Sequence, residues 1–260
     1  MTTTTTLPPQ LSLREVLRIY LLCFDALVEA LPPYLLAYAV PWPCEDVSVP
    51  VWMLWEVYDL WDPPADLHSI TFPPAEVVGA LPKLNLCDWF CWVMVEEVGN
   101  KVEELFGASM RWIRLRPRVN FLLVRRDGGP DQFELPAHSV FSVKAEGTEV
   151  IFDGTLQQFG WDSESWLQPW DEVLEAKVET REGPFRDDGP INPEALNDSA
   201  TRCDDGFWVV AKERMRDLCV GLNWEELRSL EEVERLERVK KQADEKFAGT
   251  YEEALERSRR

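Results

Sequence analysis

The clearest alternation of apolar and polar positions lies in residues 138–153, HSVFSVKAEGTEVIFD. Two strand-like runs, HSVFSVK and TEVIFD, flank a short polar segment that contains a glycine, and this arrangement predicts a β-hairpin. A similar alternation in residues 111–126, RWIRLRPRVNFLLVRR, predicts two short strands interrupted by Pro117. The middle of the chain should therefore form a small antiparallel sheet.

The register of this hairpin decides which side chains meet on the sheet. With a two-residue turn at Glu146 and Gly147, Asp153 pairs with Val140 and lies on the same face as His138, one diagonal step away. A four-residue turn with the same centre gives the same result, and a turn centred one residue earlier pairs the histidine directly with the aspartate. Only an odd slip of register sends the two side chains to opposite faces.

A helical pattern of apolar positions begins near Leu86 and continues as LCDWFCWVMVEEVGNKVEELF. Asn85 is a good N-cap residue and Gly99 does not interrupt the pattern, so the helix should begin within a residue or two of Leu86. Cys87 then lies in the first turn, where free backbone N–H groups and the helix dipole favour a thiolate. Cys91 lies one turn further along nearly the same face and should be more deeply buried.

The first third of the chain combines one amphipathic helix with an irregular segment. The helix is predicted to begin after its N-cap, Ser12, which forms a capping box with Glu15, and to end at Pro32 and Pro33. Residues 31–82 are rich in proline and tryptophan, which excludes long regular elements apart from a short helix around Val51–Trp61. We expect this segment to wrap around the core.

The C-terminal region predicts two helices. The first, FWVVAKERMRDLCVGL, begins with the apolar residues 207–210, which should dock on the body of the protein. The second begins after the cap residue Asn223 and continues to Phe247. Its apolar stripe consists of Leu227, Leu230, Val233, Leu236 and Val239. Residues beyond Phe247 are expected to fray and to stay mobile.

Together these elements predict an α+β fold, with a small antiparallel sheet packed against the cysteine-bearing helix. The N-terminal helical and proline-rich region wraps this core, and helices complete the C-terminus. The predicted divisions are a disordered tail (1–10), an α+β core (11–172), an acidic linker or surface excursion (173–205) and a helical region (206–260).

Composition limits the partners of the chain. Because 27 basic residues face 47 acidic ones, the formal net charge is −20, and nucleic acid or an anionic membrane would be repelled. The apolar runs carry too many charges to span a bilayer, and no signal peptide is evident. Six cysteines without a CxxC pair indicate free thiols in the cytoplasm. A metal bound by Cys87, Cys91 and His138 would lack an evident fourth ligand.

The order of these residues resembles that of papain-like and transglutaminase-like cysteine enzymes. In that order a cysteine opens a long helix, a histidine begins a strand, and an aspartate about 15 residues later lies on the next strand. The resemblance covers roughly Leu84 to Trp161, and its most specific part is FDGTLQQFGW, which looks like a "D-x-T…QF" motif of microbial members. The run CWVMVEEV also resembles the papain-type Cys-Trp helix start, which would favour Cys91 over Cys87.

The resemblance implies a thiol-dependent amide-bond enzyme that needs no cofactor. Cys87, or alternatively Cys91, would attack a carbonyl of a protein or peptide substrate, His138 would act as base and then as acid, and Asp153 would orient the imidazole. Proteolysis, deamidation and acyl transfer share this acyl-enzyme step and stay open, as does a degenerate, inactive site on the same fold.

A different class of function also fits the sequence, namely a non-catalytic protein-interaction module that uses the tryptophan-rich segment and the C-terminal helix. In this interpretation Cys91 is an ordinary buried apolar residue, His138 a structural histidine and Asp153 part of a turn. A basic cluster favours either internal ion pairing or an acidic partner, and its members are Arg111, Arg114, Arg116, Arg118, Arg125 and Arg126.

Overall fold

The computed structural model describes residues 10–32, 36–43, 48–56, 73–125, 137–179, 187–188 and 193–260. The chain folds into two compact units. The helical unit comprises Met1–Leu31, Trp92–Met110 and Ile191–Arg260, and the sheet unit comprises Pro32–Cys91 and Arg111–Pro190. The chain therefore passes between the two units several times.

The predicted α+β class is confirmed. The helices are α1 (Leu13–Glu29), α2 (Ala75–Ala80), α3 (Cys87–Phe106), α4 (Trp170–Lys177), α5 (Pro193–Arg202), α6 (Phe207–Gly221), α7 (Trp224–Ser229), α8 (Glu232–Phe247) and α9 (Thr250–Ser258). The strands are β1 (Leu36–Pro41), β2 (Val51–Glu56), β3 (Ser109–Leu115), β4 (Leu122–Arg125), β5 (His138–Ala145), β6 (Thr148–Phe152), β7 (Leu167–Pro169) and β8 (Asp187–Asp188). Among the described residues, no helix is long and apolar enough to cross a membrane.

The described residues of the sheet unit form two sheets. The larger has the strand order β7-β6-β5-β3-β8, and its β5–β6, β6–β7 and β3–β8 pairs are antiparallel. The smaller has the order β1-β2-β4, with an antiparallel β1–β2 pair and a parallel β2–β4 pair. An apolar cluster supports the larger sheet and contains Ile113, Leu115, Val140, Ile151, Val173 and Val178.

Two predictions for this unit need correction. The helix expected around Val51–Trp61 is wrong for its described part, because Val51–Glu56 forms β2. The run VWMLW is apolar throughout and rich in aromatic residues, so it fits a central strand that pairs with neighbours on both sides. The strands predicted on either side of Pro117 do form, as β3 and β4, but β4 joins the smaller, mixed sheet.

The helical unit is held by buried apolar faces and a few ion pairs. The capping box at Ser12 and Glu15 is confirmed, since each residue's side chain bonds the backbone N–H of the other. Glu15 also accepts a hydrogen bond from Arg235 of α8 at 2.8 Å. The start of α6 is buried as predicted, through Phe207, Trp208 and Val210.

The C-terminal residues are more ordered than the sequence pattern indicates. The helix predicted from Asn223 to Phe247 is two helices, α7 and α8, separated at Leu230, which has an extended conformation. Its predicted stripe is wrong at Val233, which is 70% exposed. The cap at Asn223 is confirmed by its bond from the Glu226 N–H, at 3.2 Å.

The expectation that residues beyond Phe247 fray is also wrong, because they form α9. Arg214 donates to the carbonyl oxygens of Lys246 and Ala248 and to the carboxylate of Glu253. The guanidinium group of Arg214 therefore fixes the turn between α8 and α9. Arg214 lies more than 30 residues before this turn, so the local sequence does not reveal the contact. Residues 1–9 of the predicted N-terminal tail and residues 180–186 and 189–192 of the predicted linker lie outside the described residues.

Candidate active site

The hairpin forms in the expected register. Ala145 pairs with Thr148 and Phe141 with Phe152, which confirms the two-residue turn. Glu146 and Gly147 both have positive φ, 50° and 83°, and two successive residues of this kind form the turn that matches the twist of a hairpin. The two strands therefore place His138 and Asp153 at the same end of the hairpin.

The imidazole and the carboxylate are hydrogen-bonded. Nε2 of His138 lies 2.6 Å from Oδ2 of Asp153. Because a carboxylate can only accept, Nε2 carries the proton of this bond. The second oxygen, Oδ1, accepts from the backbone N–H of Thr155 at 2.9 Å. Both carboxylate oxygens are thus engaged, and the ring of His138 has a fixed orientation.

Cys87 is the first residue of α3. The helix begins where the sequence predicts, but the N-cap is Leu86, whose carbonyl accepts from the Phe90 N–H at 2.7 Å. The N-cap role predicted for Asn85 is therefore wrong. Asn85 instead adopts a left-handed conformation with φ of 60°, which asparagine tolerates better than most residues.

The aromatic ring of Phe90 fixes the start of α3 on the sheet. Its centroid lies 5.3 Å from those of Phe141 on β5 and Phe152 on β6. A Cβ atom on Gly154 would lie only 2.5 Å from the Phe90 ring, so this position accepts glycine alone. Burial of one phenylalanine contributes about 2–3 kcal/mol. Because Phe90 packs on both strands of the hairpin, it also positions Cys87, which lies in the first turn of the same helix, next to the hairpin.

Cys87 lies beside His138. Burial of the imidazole by itself lowers the pKa of His138, but the charge and hydrogen bond of Asp153 and the interaction with Cys87 outweigh burial and raise the pKa from 6.5 to about 9. For the Asp153 carboxyl group, burial alone raises the pKa. The charge and hydrogen bond of His138 and the hydrogen bond from Thr155 outweigh burial, so the pKa of Asp153 is lowered. The arrangement favours an imidazolium next to a carboxylate.

The two cysteines of α3 have different surroundings. Cys87 is 8% exposed, whereas Cys91 is fully buried. Burial, together with the neighbouring Cys87, Asp88 and Asp153, raises the pKa of Cys91 well above its usual value. A thiolate is therefore unfavourable at Cys91.

Two aromatic rings cover the imidazole. The ring of Phe159 lies 4.6 Å from His138 and that of Trp161 lies 5.6 Å away, both edge to face. Trp161 is held by a bond from its Nε1 to the Arg118 carbonyl at 2.9 Å and by the ammonium group of Lys177, 4.9 Å from the ring centroid. Trp161 therefore packs against the imidazole.

The next two tryptophans along the chain, Trp166 and Trp170, have packing contacts elsewhere. Trp166 lies 5.9 Å from Phe152, and Trp170 packs against the apolar cluster of the larger sheet. In the predicted basic cluster, Arg118 donates to the carbonyl oxygens of Glu175 and Val178. Arg118 therefore serves the fold.

Sequence reasoning missed two polar contacts that surround the site. Ser139 donates a short hydrogen bond to Asp88, so the residue after the histidine is tied to the residue after the cysteine. Gln158 connects Thr155 to the backbone of Asn85. The sequence did contain a signal for the first contact. Ser139 follows His138 and Asp88 follows Cys87, so a site that brings the histidine and the cysteine together also brings these two neighbours close.

The described residues show no group of three or more His, Cys, Asp or Glu side chains that could hold a metal ion. Comparison of the chain with models of protein families, with curated proteins and with solved structures finds no match in any of the three.

Proposed function

We propose that this protein is a thiol-dependent amide-bond enzyme in which Cys87 is the nucleophile, His138 the acid and base, and Asp153 the residue that orients the imidazole. The observation that carries the proposal is that His138 bonds Asp153 through Nε2 at 2.6 Å and interacts with Cys87 at the start of a helix. Among the described residues, Nδ1 of His138 is buried and has no hydrogen-bond partner, so it is the ring nitrogen available for proton transfer.

The chemistry follows from these positions. The Cys87 thiolate attacks the carbonyl carbon of an amide and forms a carbon–sulfur bond. Nδ1–H of His138 then donates its proton to the amide nitrogen as the carbon–nitrogen bond breaks and the amine departs. In the second step the imidazole removes a proton from water or from an acceptor amine, which attacks the thioester and releases the Cys87 thiolate.

The start of α3 supports this step electrostatically. The first N–H groups of a helix have no partner within the helix, and the N-terminal end carries a partial positive charge. Cys87 lies at this end, so the oxyanion that forms next to its sulfur would be near donors that the helix does not use. The same geometry favours Cys87 over Cys91, whose buried thiol has a raised pKa.

A protein or peptide is the proposed substrate, as the resemblance to papain-like and transglutaminase-like enzymes implies. The reaction is a proteolysis, a deamidation or an acyl transfer, according to what resolves the thioester. The five cysteines of the described residues are free thiols, and a reducing cytoplasm would keep Cys87 in its active form.

Burial favours the second candidate, a non-catalytic interaction module. His138 is fully buried and Cys87 is only 8% exposed, so little of either side chain is accessible to a substrate. The same buried contacts also fit a degenerate, inactive site. The module would bind a protein partner without any thiol reaction.

A labelling experiment separates these functions. The full-length protein is treated with iodoacetamide at neutral pH, and the modified cysteines are mapped by mass spectrometry. The enzyme requires Cys87 to react faster than the exposed Cys203, and His138→Ala to remove this advantage. Slow labelling of Cys87 that His138→Ala does not change would refute the enzyme and favour the module.

A further inference from the structure

We propose that Gln158 is a positioning residue that couples the carboxylate side of the triad to the backbone segment before Cys87. This inference rests on the proposed function, because it assigns Gln158 a role in bringing Cys87 and His138 together. Gln158 lies in the 3-10 helix Leu156–Phe159, and its side chain is buried.

The side-chain amide of Gln158 donates one hydrogen bond and accepts another. Its Nε2 donates to the hydroxyl oxygen of Thr155 at 3.0 Å. Its Oε1 accepts from the backbone N–H of Asn85 at 3.2 Å. Hydrogen bonds therefore link His138, Asp153, Thr155, Gln158 and Asn85 in series. Thr155 contacts Oδ1 of Asp153 through its backbone N–H at 2.9 Å and through its hydroxyl group at 3.5 Å.

The contact with Asn85 has a specific consequence for Cys87. Asn85 has a positive φ of 60°, a conformation that costs free energy for a residue other than glycine. The bond from Gln158 satisfies the N–H group of this residue and so helps to hold the segment in place. Two residues later the chain enters α3 at Cys87, so the position of Asn85 determines where the sulfur lies relative to His138.

The adjacent Gln157 supplies a matched control. Both glutamines lie in the same 3-10 helix, yet Oε1 of Gln157 is buried without a hydrogen-bond partner among the described residues. Replacement of either glutamine by methionine keeps the approximate size and removes the amide. A role in positioning predicts a large effect at Gln158 and a small one at Gln157.

The measured quantity is the rate of Cys87 alkylation by iodoacetamide at about pH 6, divided by the rate at about pH 10. Access of the reagent affects both rates equally, whereas reaction at the lower pH requires the thiolate to be paired with the imidazolium of His138. Cys203, which is exposed, gives the ratio of a thiol outside the site. Labelling of the buried Cys91 reports any loosening of the fold.

We expect Gln158→Met to lower the Cys87 ratio about tenfold, a loss typical of a displaced catalytic group, with labelling of Cys203 and Cys91 unchanged. Gln157→Met should stay within about twofold of the wild-type ratio. A wild-type ratio in Gln158→Met, or an equal loss in both methionine variants, would overturn the positioning role.

A second variant keeps the test decisive if Gln158→Met loosens the fold and exposes Cys91. Gln158→Asn keeps an uncharged amide but shortens the side chain by one methylene, so that one amide cannot reach both Thr155 and the Asn85 N–H. A lower Cys87 ratio with Cys91 still protected supports the proposal, and an unchanged ratio contradicts it. If His138→Ala leaves the wild-type ratio unaltered, the proposed function itself fails, and this outcome is distinct from a failure at Gln158 alone.

Discussion

Buried polar side chains are distributed very differently in the two units. In the described part of the sheet unit, the buried polar residues are His138, Ser139, Ser142, Asp153, Thr155 and Gln158. In the described part of the helical unit they are Arg235 and Thr250. Burial of a polar group costs free energy unless it is hydrogen-bonded. The sheet unit concentrates this cost in 21 residues of sequence, from 138 to 158.

The two units also use their polar contacts for different purposes. In the helical unit, Arg235 bonds Glu15 and the Leu230 carbonyl, and so joins α8 to α1. In the sheet unit, the contacts converge on the imidazole of His138 and on the start of α3. Groups that only hold a fold need not surround a titratable residue with a shifted pKa, and this convergence is typical of a functional site.

The largest expected effect is on the reactivity of Cys87. We expect His138→Gln to slow alkylation of Cys87 at about pH 6 by about hundredfold, because the thiolate loses the imidazolium that stabilises it. Glutamine keeps a polar amide for Asp153, so the fold should survive. The rate is measured by mass spectrometry of the labelled peptides.

The control for this variant comes from the helical unit. Arg235→Met removes a buried polar group there and should leave the rate at Cys87 unchanged. If both substitutions slow the reaction equally, the two units do not differ in function and the comparison fails.

Stability should depend on pH through His138. Its pKa is about 9 in the folded protein, whereas the ordinary pKa of histidine is 6.5, so the folded state binds the proton more tightly than the unfolded chain. The resulting stabilisation is fully present below about pH 6.5 and is lost as the pH rises through about 9, with a total of about 3 kcal/mol. Urea unfolding of the wild type and of His138→Gln across this range measures it.

The sign of this dependence is the critical result. The free energy of unfolding of the wild type should fall from about pH 6.5 to about pH 9, and the curve of His138→Gln should be flatter. A wild-type protein that gains stability over this range would show that His138 is neutral in the folded state, and the imidazolium would then be excluded.

In the helical unit, removal of Glu15 and removal of Arg235, the two partners of one ion pair, should lower the free energy of unfolding by different amounts. The Arg235 side chain is 6% exposed and the Glu15 side chain 35%. Glu15→Ala leaves a buried cation unpaired and also removes the capping box, so we expect a loss of about 3 kcal/mol. Arg235→Met leaves a partly hydrated carboxylate and should cost about 1 kcal/mol. Equal losses in urea unfolding would contradict this asymmetry.

The success of sequence reasoning differed between local and long-range features. The hairpin register was predictable because Glu146 and Gly147 specify a two-residue turn, and the turn alone determines which residues pair. The capping box of Ser12 and Glu15 is equally local. The positions of His138 and Asp153 follow from the register, so two of the three residues of the candidate site could be placed from 16 residues of sequence.

The features that the sequence did not predict depend on contacts between residues far apart in the chain. The N–H of Asn85 is satisfied by Gln158, 73 positions away, and nothing near Asn85 indicates this partner. The segment at Val51–Glu56 fits a short apolar helix equally well, and its pairing with β4 decides the matter. The order of α9 depends on Arg214 in the same way.

The smallest expected effect concerns Ser139, which donates to Asp88 beside Cys87. Ser139→Ala removes a buried hydrogen bond while Asp88 remains partly hydrated, so we expect the free energy of unfolding to fall by about 1 kcal/mol. The matched control is Ser142→Ala, since Ser142 lies on the same strand, is also buried, and donates to Glu149 away from the site. Both variants should lose similar stability in urea unfolding, but only Ser139→Ala should slow alkylation of Cys87, by about threefold. An equal rate in the two variants would show that the contact between Ser139 and Asp88 supports the fold alone, and the polar contacts that serve the site would then be limited to those of His138, Asp153 and Gln158.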